Sequence, residues 1–256
     1  MQSTAIYKAP PTSAHPITTT NWNTLAKIFD AESSEAVDPR AADNILIAWP
    51  ELIRMLERLP CCGGNAHILD FGCGTGAFAR KLANCGHAVH GVDPADQMIA
   101  IAKRQSEDIQ FTVGSVDQIL PNQMFDAITA IMVFQFIDDK AIEELFAKLV
   151  SHLKPNGRLI FAVHNKAYFD YAKSKTEKYY ESQTGQFFIR FKEHGSIQLH
   201  PRSPSDYSRI LELLGMNKLA ESTPAFTDEY IATYGSKANE PLDLPKFLIM
   251  SFAKSS

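Results

Sequence analysis

Two hydrophobic rhythms divide the chain. Up to about residue 65 the apolar positions recur at helical spacing. Trp22, Leu25, Ile28 and Phe29 predict a helix over 21–32. Ile45, Leu46, Trp49, Leu52, Ile53, Leu56 and Leu59 predict a second from Asp43 to Leu59, ended by Pro60 and Gly63-Gly64. Residues 1–20, rich in Thr, Pro, Ser and Ala, carry no period and read as a loose arm. From His67 the pattern becomes short apolar runs alternating with helical stretches. HILDF (67–71), HAVHGVD (87–93), IQFTV (109–113), FDAITAIMVF (125–134) and RLIFAV (158–163) predict strands. GAFARKLANC, ADQMIAIAKRQ, a short turn near 115–120 and a helix over 138–153 fall between them, and KPNG (154–157) reads as a turn. Near-continuous apolar strands alternating with helices argue for an α/β fold whose parallel sheet is covered on both faces.

The rhythm breaks at 166–200, where Tyr168, Phe169, Tyr171, Tyr179, Tyr180, Phe187, Phe188 and Phe191 are mixed with Lys and Glu. This reads as an insertion over one end of the sheet, either a lid or the packing face of two short helices. Ser203 or Ser205 caps a helix running to Leu214 and stopped by Gly215. NKLAESTPAF and KFLIMSFAK predict two last strands, joined by a polar loop into a closing hairpin. The expected organisation is an arm over 1–20, a helical N-terminal cap over 21–65 and a main domain over 66–256.

Charge narrows the function classes. The net charge is −4, so the basic footprint of a dedicated nucleic-acid binder is missing from the total. The start of the chain has no continuous apolar core and does not read as a secretory signal. Cys61, Cys62, Cys73 and Cys85 show no CxxC or Cys/His ligand spacing. They read as free thiols of a cytoplasmic protein, and no metal site is expected.

The candidate chemistry lies between His67 and Asp93. The strand HILDF runs directly into Gly72-Cys73-Gly74-Thr75-Gly76 and a helix. Such a turn lets backbone approach a ligand closely and points free N–H groups at it. GxGxG alone also suggests a dinucleotide site, but Phe78-Ala79 follows where the third glycine of that fingerprint belongs. Asp70 repels a pyrophosphate and suits a cationic group such as an α-amino group. Asp93 stands where a carboxylate accepts bonds from both hydroxyls of a ribose.

LDFGCGTG (69–76), VHGVDPADQMIAIA (89–102), QFTVGSVDQI (110–119), FDAITAIMVFQFIDD (125–139) and LKPNGRLIFAV (153–163) together resemble the class I S-adenosylmethionine (SAM)-dependent methyltransferases, in the family's order. The branch they resemble is the type 11-like one that methylates small molecules. The resemblance implies a Rossmann-like, seven-stranded, mostly parallel sheet with an antiparallel last strand. It implies SAM as cofactor, with S-adenosyl-L-homocysteine (SAH) as product. Asp70 would hold the cofactor's amino group. Gly72, Cys73, Gly74 and Gly76 would line its methionine and ribose. Asp93 would bind the ribose hydroxyls, with Pro94 and Met98 near the adenine. Ser115 occupies the usual acid position, so Ser115, the Val116 amide or a shifted Asp117 would meet the adenine. Ala130 and Ile131 would form the floor under the methionine part, and Gln135-Phe136 stands where many relatives carry two histidines. Met98 reads equally as core packing, and Asp117 as a solvated loop acid.

The acceptor is expected outside the carboxyl ends of the strands. Phe134, His164 and Asn165 are placed there, with Tyr7, Trp22 and His200 as further candidates. His164 is the candidate proton acceptor, and its alternative is a histidine bonded to nearby backbone. A base is needed only for a hydroxyl or carbon acid. The expected activity is methyl transfer to O, N or C of a small, planar or partly hydrophobic metabolite. A methyltransferase of protein or RNA, a non-catalytic SAM-binding partner or regulatory protein, and a nicotinamide oxidoreductase are the competing readings. The last is disfavoured by the glycine spacing and by Asp70.

Overall fold

The computed structural model describes residues 22–26, 42–57, 59, 65–191, 195–235 and 241–256. The arm, most of the first predicted helix, and Cys61 and Cys62 lie outside them. Seven strands form the main sheet: β1 (His67–Phe71), β2 (Ala88–Asp93), β3 (Gln110–Val113), β4 (Phe125–Ile131), β5 (Leu153–His164), β9 (Met216–Ser222) and β10 (Phe247–Lys254). Their order is β3-β2-β1-β4-β5-β10-β9. β1 to β5 run parallel, and β10 lies antiparallel between β5 and β9. The strand order reverses at β1/β4, so the loops after β1 and β4 diverge and leave a crevice between them.

Successive residues along these strands enter opposite cores, as the two-residue period demands. Ile68, Ala127, Ile160 and Ile249 belong to one buried cluster. Leu69, Ile128, Phe161 and Met250 belong to the other. Helix α4 (Asp139–Ser151), capped by Asp138, and helix α6 (Pro204–Leu213), closed by a Ser203/Asp206 capping box, contribute Phe146, Leu149, Tyr207 and Leu211 to the second cluster. Helices α2 (Ala77–Asn84) and α3 (Asp96–Gln105) follow β1 and β2.

The cap is helical over 42–56, with a π-helical turn at Asn44–Ala48 ahead of α1 (Trp49–Leu56). Pro50 has no N–H to donate back to Leu46, so the wider turn is a local response to a missing bond. Trp49 N–H donates to the Asn44 carbonyl in this turn.

Two segments differ from the sequence expectation. Residues 166–200 form one helix, α5 (Lys166–Ala172), not two, followed by an antiparallel sheet of β6 (Tyr179–Glu181), β7 (Phe187–Arg190) and β8 (Ser196–Leu199). Tyr179 and Ile189 point into the first core while Tyr180 and Phe188 stack on each other with ring centroids 5.2 Å apart. This alternation is a strand period, and the left-handed turns at Gly185 and Gly195 (φ 78° and 89°) suit hairpins. The predicted polar loop between β9 and β10 contains helix α7 (Asp228–Tyr234), capped by Thr227. Seven residues are too few for a helical period to stand out in the sequence. β5 also begins earlier than predicted. KPNG lies within it as an irregularity, where Asn156 takes φ 62° and the pairing with β4 shifts register.

Candidate active site

A cavity of about 400 Å³ lies at the carboxyl ends of the parallel strands. Its walls come from the β1–α2 turn, the end of β2, the loop after β4, the end of β5, the N-terminal cap, the insertion, and the residue before β10. The described helices include none long and apolar enough to cross a membrane.

The β1–α2 turn is built by left-handed backbone. Gly72 and Cys73 N–H groups both donate to the Val92 carbonyl, at 2.7 and 3.1 Å, which ties the turn to β2. Gly72 takes φ 71°, and a Cβ there would stand 2.3 Å from Val133. Gly74 takes φ 54°, and a Cβ there would meet nothing within 4 Å because this glycine faces the cavity. A side chain at either position would strain the turn. At Gly74 it would also occupy ligand space.

Two carboxylates flank the turn. Asp70 is 3% exposed. The Thr129 hydroxyl donates to its Oδ1 at 3.0 Å, while its Oδ2 is buried with no partner among the described residues. Burial pushes its carboxyl up to about 7, against the pull of Thr129 and with a smaller push from Asp93. Asp93 is held by two amides. Gly74 N–H donates to Oδ2 at 3.0 Å and Ala95 N–H to Oδ1 at 2.9 Å. Its carboxyl is raised by burial in spite of those bonds. Cys73 sits between the two acids in the wall, and burial, then Asp70 and Asp93, raises its thiol well above the ordinary range.

Asp70, Gly72, Cys73, Gly74, Asp93, Pro94, Met98, Gln135, Trp22 and His164 all line this cavity. Other predicted residues do not. Gly76 caps α2 and packs against Phe111. Ser115 caps a short 3-10 turn, and Val116 is in the second core. Of the two predicted floor residues, Ala130 is fully buried in that core too, while Ile131 lines the cavity together with Met132. Phe134 is fully buried, with ring centroids 4.8 Å from Phe146 and 5.2 Å from Phe161. Asn165 caps α5 and donates to the Pro245 carbonyl. His200 donates its N–H to the Gln135 carbonyl. Tyr7 lies outside the described residues.

Sequence reading missed the far end of the cavity. Lys246 forms a buried ion pair with Asp43, whose other oxygen accepts the Asn44 N–H. Asn44 Oδ1 is buried without a partner among the described residues. Lys246 precedes Phe247, the β10 partner of His164, and Asn165 N–H donates to the Lys246 carbonyl at 2.8 Å. The His164 ring meets Tyr179 of the insertion edge-on, with Nε2 3.4 Å from the Tyr179 hydroxyl. Trp49 and Phe191 supply apolar wall. These partners are far apart in sequence, so only the aromatic content of the insertion and the Asn-Ile-Leu helix start hinted at them.

A family model described as "Methyltransferase domain" matches residues 68–157. Over that stretch the chain is similar to methyltransferase domains. The ubiquinone biosynthesis O-methyltransferase of Bradyrhizobium diazoefficiens is 31% identical over 123 residues, 46% of this chain and 47% of that one. The chain spans about half the length of this and other curated relatives it matches. In fold, a structure described as a putative SAM-dependent methyltransferase from Listeria monocytogenes aligns with a TM-score of 0.63 at 20% identity, covering 81% of this chain and 96% of that one. A structure described as a DhpI–SAH complex aligns with a TM-score of 0.61 at 17% identity, covering 93% and 95%. The methyltransferase-domain match runs from β1 into β5, so it contains both acids and the glycine turn.

The residues present fit SAM. Asp70 Oδ2 is a buried acceptor with no donor among the described residues, and an uncompensated buried carboxylate is costly. A ligand ammonium group would satisfy it. The open side of Gly74 leaves room for the ligand next to the amide-held Asp93.

Proposed function

We propose that this protein transfers the methyl group of SAM to a small, planar or partly hydrophobic acceptor and releases SAH. When bound, SAM supplies a methyl carbon activated by its sulfonium. Asp70 holds the amino group, the Gly72–Gly74 backbone lines the methionine part, and Asp93 accepts the ribose hydroxyls. Pro94 and Met98 flank the base. Amide bonds fix Asp93 before any ligand arrives, so its orientation costs little on binding.

The acceptor occupies the end lined by Trp49, His164, Tyr179 and Phe191, where apolar walls exclude water and hold the attacking atom in line. His164 takes the proton of an acceptor that reaches the site protonated. The observation that carries this reading is the buried Asp70 Oδ2, without a partner among the described residues, in the same wall as Asp93. Incubation with methyl-labelled SAM and a metabolite extract tests it. Label in a small product is expected, whereas SAH binding without any labelled product would reduce the protein to a SAM-binding partner.

A further inference from the structure

Resting on the methyltransferase reading, we infer that the acceptor group is an acidic hydroxyl of the phenol or enol class, and that Tyr179 relays its proton to His164. Both side chains line the cavity and are almost fully buried, at 1% and 7% exposure. They reach it from different segments, His164 from the end of β5 and Tyr179 from the first strand of the insertion. Gln135 Oε1 accepts the His164 backbone N–H at 2.9 Å. Phe169 packs edge-on against the Tyr179 ring, with centroids 5.3 Å apart. The pair is therefore braced from both sides. Its 3.4 Å separation is the long contact expected of catalytic groups before substrate tightens them.

The chemistry follows from what each acceptor class needs. An amine delivers a lone pair without a base. A hydroxyl must lose its proton, and a buried imidazole behind a phenol provides the route. The acceptor O–H donates to Tyr179 Oη while the Tyr179 O–H donates to His164 Nε2. As the acceptor O–H bond breaks, Tyr179 takes that proton and passes its own to Nε2. Tyr179 ends neutral, His164 ends as imidazolium, and the acceptor oxygen keeps the electron pair with which it attacks.

A neighbouring cation favours the anionic half of this separation. Lys178 Nζ lies 5.6 Å from the Tyr179 ring centroid, and Lys246, matched by Asp43, borders the same end. Tyr168 has its ring 6.4 Å from that of Tyr179, and Tyr180, Glu181 and Arg190 are further titratable groups on the strands that carry and flank Tyr179. Cations next to a forming oxyanion stabilise it. The insertion thus contributes a reacting group as well as a wall.

The probe for the test is 4-nitrophenol, which absorbs differently as phenol and phenolate. It is titrated into the full-length protein saturated with SAH, at a pH where the free probe is mostly protonated. Wild type should bind it as phenolate. Tyr179→Phe and His164→Gln should each weaken phenolate binding by about ten- to a hundredfold, with SAH affinity by calorimetry unchanged. On probe addition the His164 ring nitrogens should move to imidazolium shifts in 15N NMR of the wild type, a readout that needs no variant to fold. Absence of phenolate binding by the wild-type SAH complex, an unchanged phenolate signal in Tyr179→Phe, or a neutral His164 in the probe complex would each overturn the relay. Failure of the wild type to bind SAH would instead remove the methyltransferase reading beneath it.

Discussion

Gln135 holds His164 by its backbone: Oε1 of Gln135 accepts the His164 N–H at 2.9 Å, in a site where both residues are buried. The loop after β4 and the end of β5 are thereby locked together, and the Gln135 carbonyl in turn accepts the His200 N–H. Gln135→Ala leaves a buried donor unpaired. We expect a loss of about 1–3 kcal/mol of stability in urea unfolding. An unchanged midpoint would show that the brace carries no stability.

Asp70 gives the unbound protein an unusual pH response. Its folded carboxyl sits near 7, raised by burial, while the unfolded one titrates near 3.8. Between those values the folded chain holds a proton that the unfolded chain has released. This group's contribution to folding therefore declines as pH rises through that window. A ligand ammonium meeting the carboxylate must displace that proton, so SAH affinity should fall as pH drops below about 7, with proton release on binding. Calorimetry in buffers of different ionisation enthalpy checks this, and Asp70→Asn should abolish the release. Equal proton release by both proteins would contradict the assignment.

The Asp43–Lys246 pair ties the N-terminal cap to the start of β10 across 203 positions of sequence. Lys246→Met strands a buried carboxylate and should cost about 3–5 kcal/mol. Adding Asp43→Asn should restore much of it, since the uncompensated charge is then gone. Additive losses in the double variant would show that the two residues are not coupled.

Cys73 should resist alkylation. Its thiol is raised by burial and by the two neighbouring acids, whereas Cys85 is exposed. Thiolate is the reactive form, so mass spectrometry of a timed iodoacetamide reaction should find Cys85 modified well before Cys73. SAH should slow Cys73 further. Early modification of Cys73 would mean that the turn is open to solvent.

The Asp70–Asp93 end of the cavity was legible in the sequence because its signals are local. Asp70, the glycines and Asp93 lie within one strand–turn–helix–strand unit, where spacing alone fixes which groups meet. The sheet was legible for the same reason, since each parallel strand announced itself as an apolar run. The acceptor end was not. Tyr179 meets His164, and Asp43 meets Lys246, only after the insertion and the cap fold over the first core. Phe134 illustrates the converse. Its place at the end of the predicted fourth strand suggested the site, yet β4 stops at Ile131, and Phe134 opens a short 3-10 turn and is buried in the second core. The insertion's strands were hidden by reading its aromatics as helix faces, although Gly185 and Gly195 mark the turns between them.

Isothermal calorimetry with SAH and with NADH bears most directly on the central claim that Asp70 and Asp93 frame a SAM site. We predict micromolar SAH binding, loss of at least about tenfold in affinity in Asp93→Ala, and no response to NADH. Tight NADH binding with none for SAH, or full SAH affinity in Asp93→Ala, would contradict it.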